Sequence, residues 1–208
     1  MKIIDISMEI REKMTVYPGD PEPKIRQVSK KPKASSNLSL LTLGTHTGTH
    51  VDAPSHVKNG AKGASELPFE SLAGECRVLD LRKAKAEITE NDLKRFGIMK
   101  GEIILLKTKK SGMDENEKFN RNFAHLTEGA AELLAKAEIR TLGIDTPSVK
   151  KFHSKSKVHE ILLENKITVF ENLDLRKAKE GSYLFVGLPL KVNADGAPAR
   201  AILIEHKK

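Results

Sequence analysis

Three of the chain's seven histidines fall within His46-Thr47-Gly48-Thr49-His50-Val51-Asp52-Ala53-Pro54-Ser55-His56. In an extended chain successive side chains alternate between faces, so His46, Gly48, His50 and Asp52 share one face and two imidazoles converge with a carboxylate. A helix would pair His46 with His50 but send Asp52 elsewhere, and Gly48, Pro54 and the β-branched residues disfavour one. Gly48 has no side chain and leaves room between the rings for an ion. Imidazole nitrogens with a carboxylate oxygen suit zinc or manganese. The plain alternative is a polar loop whose histidines bond to nearby hydroxyls; three histidines and an aspartate at this spacing outweigh it. A carboxylate has two oxygens, so Asp52 could bridge two ions if ligands came from elsewhere. His159, on an expected helix, and Glu171, just beyond an expected strand, are the candidates. Spacing alone leaves them a solvated histidine and a surface glutamate. His125, His153 and His206 read as surface or capping residues.

Elements that would position these groups alternate between short β-branched or apolar runs and helical segments, the pattern of a mixed α/β fold. Strands are expected at Lys2–Ser7, Lys24–Val28, Leu38–Thr45, Cys76–Leu81, Glu102–Thr108, Thr141–Asp145, Ile167–Val169, Ser182–Leu190 and Ala199–Glu205. Thr89 should cap a helix over Glu90–Phe96 that stops at Gly97. Thr127 should cap Glu128–Ala137, and Ser154 or Ser156 should open a helix through His159 to about Glu164. No Ser/Gly/Pro-rich linker divides the chain, which reads as one domain over residues 1–208. The hexapeptide Asp80-Leu81-Arg82-Lys83-Ala84-Lys85 recurs at Asp174–Lys179 without matching flanks, so it reads as two similar strand exits rather than a duplicated fold.

Composition narrows the function classes. With 36 Lys+Arg against 28 Asp+Glu the 208-residue chain carries +8, which suggests an anionic partner such as nucleic acid. Against this, lysine outnumbers arginine three to one and Trp is absent, so guanidinium forks and stacking platforms are scarce. A solvated lysine-rich surface accounts for the charge, and the chain is read as binding neither nucleic acid nor membrane. The single Cys76 excludes an intramolecular disulfide or a multi-cysteine metal site, and its apolar run makes it a packed thiol. Charges at Lys2, Asp5, Glu9 and Arg11 leave no apolar leader, and the uncharged stretch from Ala34 to Val51 is too polar to span a bilayer. A cytoplasmic protein is expected.

Taken together, these residues resemble the cyclase-like metal-dependent hydrolases, a family that includes bacterial kynurenine formamidase (arylformamidase) and isatin hydrolase. The resemblance runs nearly end to end. It is carried by Tyr17-Pro18-Gly19-Asp20, the histidine run with Asp52-Ala53-Pro54 at its centre, Gly143-Ile144-Asp145-Thr146-Pro147-Ser148, the His159/Glu171 pair and Leu188-Pro189-Leu190-Lys191. It implies a swivelling β/β/α fold, a homodimer or homotetramer, and two divalent ions, zinc first and manganese second. His46, His50 and Asp52 would hold one ion, and Asp52, His159 and Glu171 the other. His56 would be the general acid/base, and metal-activated hydroxide would cleave an aryl formamide or a cyclic amide. Asp145-Thr146-Pro147 would shape the pocket. The kynurenine formamidases present a tryptophan where this chain has Tyr17. That departure bears on the aryl group a substrate carries and leaves the reaction class untouched.

Overall fold

The unbroken apolar run Ile103-Ile104-Leu105-Leu106 forms a strand buried on both faces, as expected of a parallel strand covered on each side. It lies at the middle of a mixed α/β architecture, seen in a computed structural model that describes residues 1–112 and 118–206. The strands are β1 (Ile3–Asp5), β2 (Lys24–Ser29), β3 (Leu38–Thr42), β4 (His50–Asp52), β5 (Ala73–Asp80), β6 (Glu87–Ile88), β7 (Ile103–Lys107), β8 (His125–Leu126), β9 (Thr141–Ile144), β10 (Thr168–Glu171), β11 (Gly181–Pro189) and β12 (Gly196–Ile204). The helices are α1 (Phe69–Leu72), α2 (Glu90–Lys94), α3 (Glu128–Lys136) and α4 (Val158–Glu164).

Eight strands form one sheet in the order β1-β12-β11-β5-β7-β9-β10-β4, and β4 also pairs with β12, so the sheet closes on itself. The long β12 makes closure possible. Its start, Gly196–Pro198, pairs with β4, while its end pairs with β1 at Ile202–Ile204. Alternation along β7 then separates two cores. Ile103 and Leu105 point into the closed sheet beside Val51, Phe170 and Phe185. Ile104 and Leu106 point outward, where Leu134 of α3 and Leu162 of α4 cover them. Outside this body, β2 and β3 form a separate antiparallel hairpin.

Most expected elements are present, with instructive differences. In α3 the Thr127 hydroxyl accepts the Ala130 N–H at 3.2 Å, and Asp92 reaches back to the Thr89 N–H at 2.9 Å, so both threonines cap as anticipated. Neither Ser154 nor Ser156 opens α4. Their hydroxyls lie 3.0 Å apart, and the helix starts beyond Lys157, whose N–H donates to Glu128 at 2.7 Å. The strands β6 and β8 were not anticipated, because two-residue pairings carry no periodicity. Cys76 is buried and unpaired, and burial pushes its thiol up to about 12. The hexapeptide repeat yields matching exits: Leu81 and Leu175 are buried, and Arg82 and Arg176 each fold back onto Asp80 and Asp174.

Candidate metal centre

β4 is only three residues long and paired on both sides. Its His50 lies opposite Glu171 of β10, and its Asp52 lies opposite Gly196 of β12. Residues directly opposed in an antiparallel pair present side chains to the same face, so His50, Asp52 and Glu171 converge while Val51 turns into the core. For His50 and Asp52 the expected alternation therefore operates. It fails for His46, which reaches the cluster through a turn at Thr45–His46 rather than along a strand. Gly48 serves that turn: its φ is +65°, and a Cβ there would lie 3.1 Å from Ile10. Its role is to reverse the chain under Ile10, not to leave space for an ion. Its carbonyl also accepts the Nδ1–H of His50 at 2.9 Å, which turns Nε2 of that ring toward the carboxylates.

His159 projects from the first turn of α4 and places Nε2 3.1 Å from Glu171 Oε1 and 3.4 Å from Asp52 Oδ2. Glu171 Oε1 is further fixed by the Val149 N–H at 2.6 Å. His46 Nδ1 stands 2.9 Å, and His50 Nε2 3.3 Å, from Asp52 Oδ1. Despite these approaches, His50 Nε2 and both Asp52 oxygens are buried without a hydrogen bond of acceptable geometry. Buried polar atoms are ordinarily satisfied, so donor atoms that face a common space rather than one another are suited to a cation. Among the described residues, two donor sets each gather within 4.8 Å: His46, Asp52 and His56, and His50, Asp52 and Glu171. Asp52 belongs to both. The first set includes His56, which the family resemblance leaves outside the ligands.

Electrostatics fit the same reading. Burial would lower the pKa of His50 and His159, but the Asp52 and Glu171 carboxylates beside the rings outweigh it and raise both to about 10. Burial would raise Asp52, yet the three imidazoles hold it well below the usual carboxylate range. Glu171 is also lowered, against its burial and the repulsion of Asp52, by His159 and His50. The carboxylates thus demand positive charge, which protons or a metal ion can supply.

His56 occupies a single 3₁₀ turn, Pro54–His56, exposed at the edge of the cluster, with its ring 4.5 Å from that of His46. A residue without a sequence signal adjoins both rings. Asp195 Oδ2 lies 2.8 Å from His46 Nε2 and 3.5 Å from His56 Nδ1. The start of β12 places it there, where the Asp195 carbonyl also accepts the Ala53 N–H at 2.9 Å. Burial raises its carboxyl, but His46 lowers it further. Nothing at Asp195 itself signals this role, because the link depends on a strand pairing between distant segments.

Tyr17 lines the cavity of about 250 Å³ that also holds His46, His50, His56, His159 and Glu171, with Pro147 on its wall. Its ring packs 5.3 Å from Phe119 and 5.5 Å from Phe152. Asp145 lies deeper, bonding the Thr108 hydroxyl at 2.6 Å and its N–H at 2.8 Å. His125 departs from expectation: it is buried, with its Nδ1–H donating to the Phe123 carbonyl at 2.9 Å. The short β8 draws it inward. His153 and His206 are exposed, and His206 pairs with Glu75 at 3.0 Å.

Comparison with known proteins adds four findings. Residues 4–151 match the family described as putative cyclase. The kynurenine formamidase of Salinibacter ruber is 34% identical over 207 residues, spanning 98% of this chain and 97% of that protein. A solved structure described as a potential metal-dependent hydrolase with cyclase activity superposes with a TM-score of 0.89 at 33% identity, covering 100% of this chain and 99% of that one. Isatin hydrolase A from Labrenzia aggregata shares the fold, with a TM-score of 0.87 at 20% identity over 99% of this chain and 94% of that one.

Proposed function

The chain belongs to the cyclase family, and on that premise we propose that residues 1–208 form one domain that hydrolyses the amide of an aryl formamide or a related amide with the help of bound divalent metal. The observation that carries this reading is the buried convergence of His50 Nε2 and both Asp52 oxygens, unsatisfied by any hydrogen bond. His46, His50, Asp52, His159 and Glu171 would hold two ions, zinc first and manganese second, because mixed imidazole and carboxylate donors accept both. The count of two is the one the family resemblance implies, and the membership of Asp52 in both donor sets supports it. When bound, such an ion acidifies a water molecule to a pKa of about 7 and polarises a carbonyl oxygen.

The chain's own groups supply the remaining steps. His56, at the rim of the cavity, takes the proton of the attacking water at Nε2 and returns it to the leaving nitrogen. Histidine suits the task because its ordinary pKa lies near neutrality. Asp195 accepts from His56 Nδ1, leaves Nε2 as the basic atom facing the substrate, and holds His46 from the opposite side. Tyr17, backed by Phe119 and Phe152, offers the aryl group an edge of rings in place of a single tryptophan. The isolated hairpin of β2 and β3 exposes Ile25, Val28, Leu38, Leu40 and Leu41, and a second copy of the chain in a homodimer or homotetramer would cover them.

Metal analysis and hydrolysis of a formanilide panel test the proposal. Turnover that appears with zinc or manganese and disappears on chelation is expected; a metal-loaded protein inert on every amide would end it. His56→Ala should retain metal and lose about 10²- to 10⁴-fold in kcat, the range for a general acid/base. Loss of metal in that variant would make His56 a ligand instead.

A further inference from the structure

The ladder between the parallel strands β7 and β9 ends at Leu106 and Ile144. Just beyond it the side chain of Asp145 takes over: Oδ2 accepts the Thr108 N–H at 2.8 Å and Oδ1 accepts the Thr108 hydroxyl at 2.6 Å. Thr108 and Asp145 are only 1% and 2% exposed, so water does not compete for these bonds. A carboxylate that accepts two donors from one residue makes a strong and oriented contact. Because the side chain holds β7, the main chain after Asp145 can leave the sheet, and it wraps the end of β10. The Ile144 carbonyl accepts the Leu173 N–H at 3.0 Å, the Thr146 carbonyl accepts the Asn172 N–H at 2.9 Å, and the Val149 N–H donates to Glu171 Oε1 at 2.6 Å. The Thr146 hydroxyl closes the turn onto the Ser148 carbonyl at 3.1 Å.

We propose that Thr108 and Asp145 are positioning residues for the metal centre: their clamp fixes the turn over residues 144–149, and through the Val149 N–H it sets the direction in which Glu171 presents its carboxylate. This rests on the metal-centre reading above and adds to it two residues that lie outside the donor sets and do not line the histidine-bearing cavity. Glu171 is the member of the cluster most open to such control. Its Oε1 is shared between the Val149 N–H and His159 Nε2 at 3.1 Å, while its Oε2 stands 3.5 Å from His50 Nε2. A shift of the Val149 amide therefore turns both oxygens at once. Partners that orient a ligating side chain govern affinity without touching the ion, and here the orienting group is a main-chain amide whose place is set two strands away. The plainer account is that the Thr108 bond is one more buried hydrogen bond serving stability. A second buried threonine separates the two. At the opposite end of β9 the Thr141 hydroxyl donates to the Ser71 carbonyl at 2.7 Å.

The test measures zinc affinity of the full chain by competition with a chelator, and the visible absorption of the cobalt-substituted chain, whose bands follow the arrangement of donors around the ion. Thr108→Val keeps the shape and the N–H and removes only the hydroxyl. It should weaken zinc about tenfold, at the low end for loss of an orienting partner, and move the cobalt bands. Thr108→Ser restores the hydroxyl and should return both readings to those of the parent. Thr141→Val should leave both as they are in the parent, whatever it costs in melting temperature. Asp145→Asn, whose amide NH2 must face one of the two Thr108 donors, should act as Thr108→Val does and replaces it if that variant does not fold. Parent-like affinity and bands in Thr108→Val would overturn the proposal. So would equal weakening in Thr141→Val, or no recovery in Thr108→Ser, because lost stability or packing would then be the cause. A parent chain that takes up neither ion would bring down the metal reading and the clamp's role together, whereas a parent that binds both ions leaves the variants to decide the clamp alone.

Discussion

At Asp52, burial acts against ionisation and three imidazoles overcome it; at His50 and His159, burial acts against protonation and two carboxylates overcome it, raising both to about 10. A metal ion binding below that pH must displace the protons on those rings. Affinity should therefore climb with pH up to about 10, and calorimetry at pH 8 in two buffers of different ionisation enthalpy should register proton release. Linkage in the metal-free protein has the opposite sign. Stabilisation by the two raised histidines is complete below their ordinary 6.5 and is lost as pH rises through about 10. That from Asp52 and Glu171 is present above their ordinary 3.8 and 4.5 and lost as pH falls through their lowered values. Thermal melts of the metal-free chain should accordingly decline from pH 6.5 toward 10, with a smaller decline after metal loading. Asp195 makes a separate prediction. In Asp195→Asn, metal affinity should drop about 10- to 100-fold, as when other partners that orient a ligating histidine are removed. A kcat loss exceeding any change in KM should accompany it, whereas unchanged affinity and kcat would remove Asp195 from the site.

Among elements, β4 shows what a sequence can disclose about a site. The alternation of His50 and Asp52 is legible because a strand's period is a local property. The approach of His46 is not extended: the chain turns at Thr45–His46 and Gly48 takes a positive φ beneath Ile10, a neighbour far away in sequence that no local pattern marks. Pairing of Glu171 with His50 and of Gly196 with Asp52 follows from sheet closure, which no local pattern encodes. His159 and Glu171 are accordingly only candidates by spacing and gain ligand roles through the family resemblance, and nothing local marks Asp195. The strand β12 also explains a glycine. A Cβ on Gly196 would stand 2.8 Å from both the His46 ring and the Val51 carbonyl. Gly196→Ala should push the His46 ring aside and weaken metal binding, and titration of the purified variant with zinc would measure the loss.

For the molecule as a whole, the mixed α/β class and most strands and helices were legible from periodicity and caps, while the closed sheet was not. The net charge of +8 gave no guide to the metal centre, although four of the lysines behind it gather at one cavity. The exposed hairpin bears on assembly. Replacing Leu38 and Leu41 with aspartate should shift the sedimentation of the protein toward that of a monomer while leaving the sheet and its two cores folded, since neither residue packs against them. A further consequence belongs to β4. This three-residue strand closes the ring between β10 and β12 and carries His50 and Asp52, so the proposed metal ligands are also the seam of the barrel. Amide hydrogen exchange should register this as a local opening: on removal of metal, the backbone amides of β4 and of its partners at the start of β12 should exchange together, while those of β5, β7 and β9 remain slow.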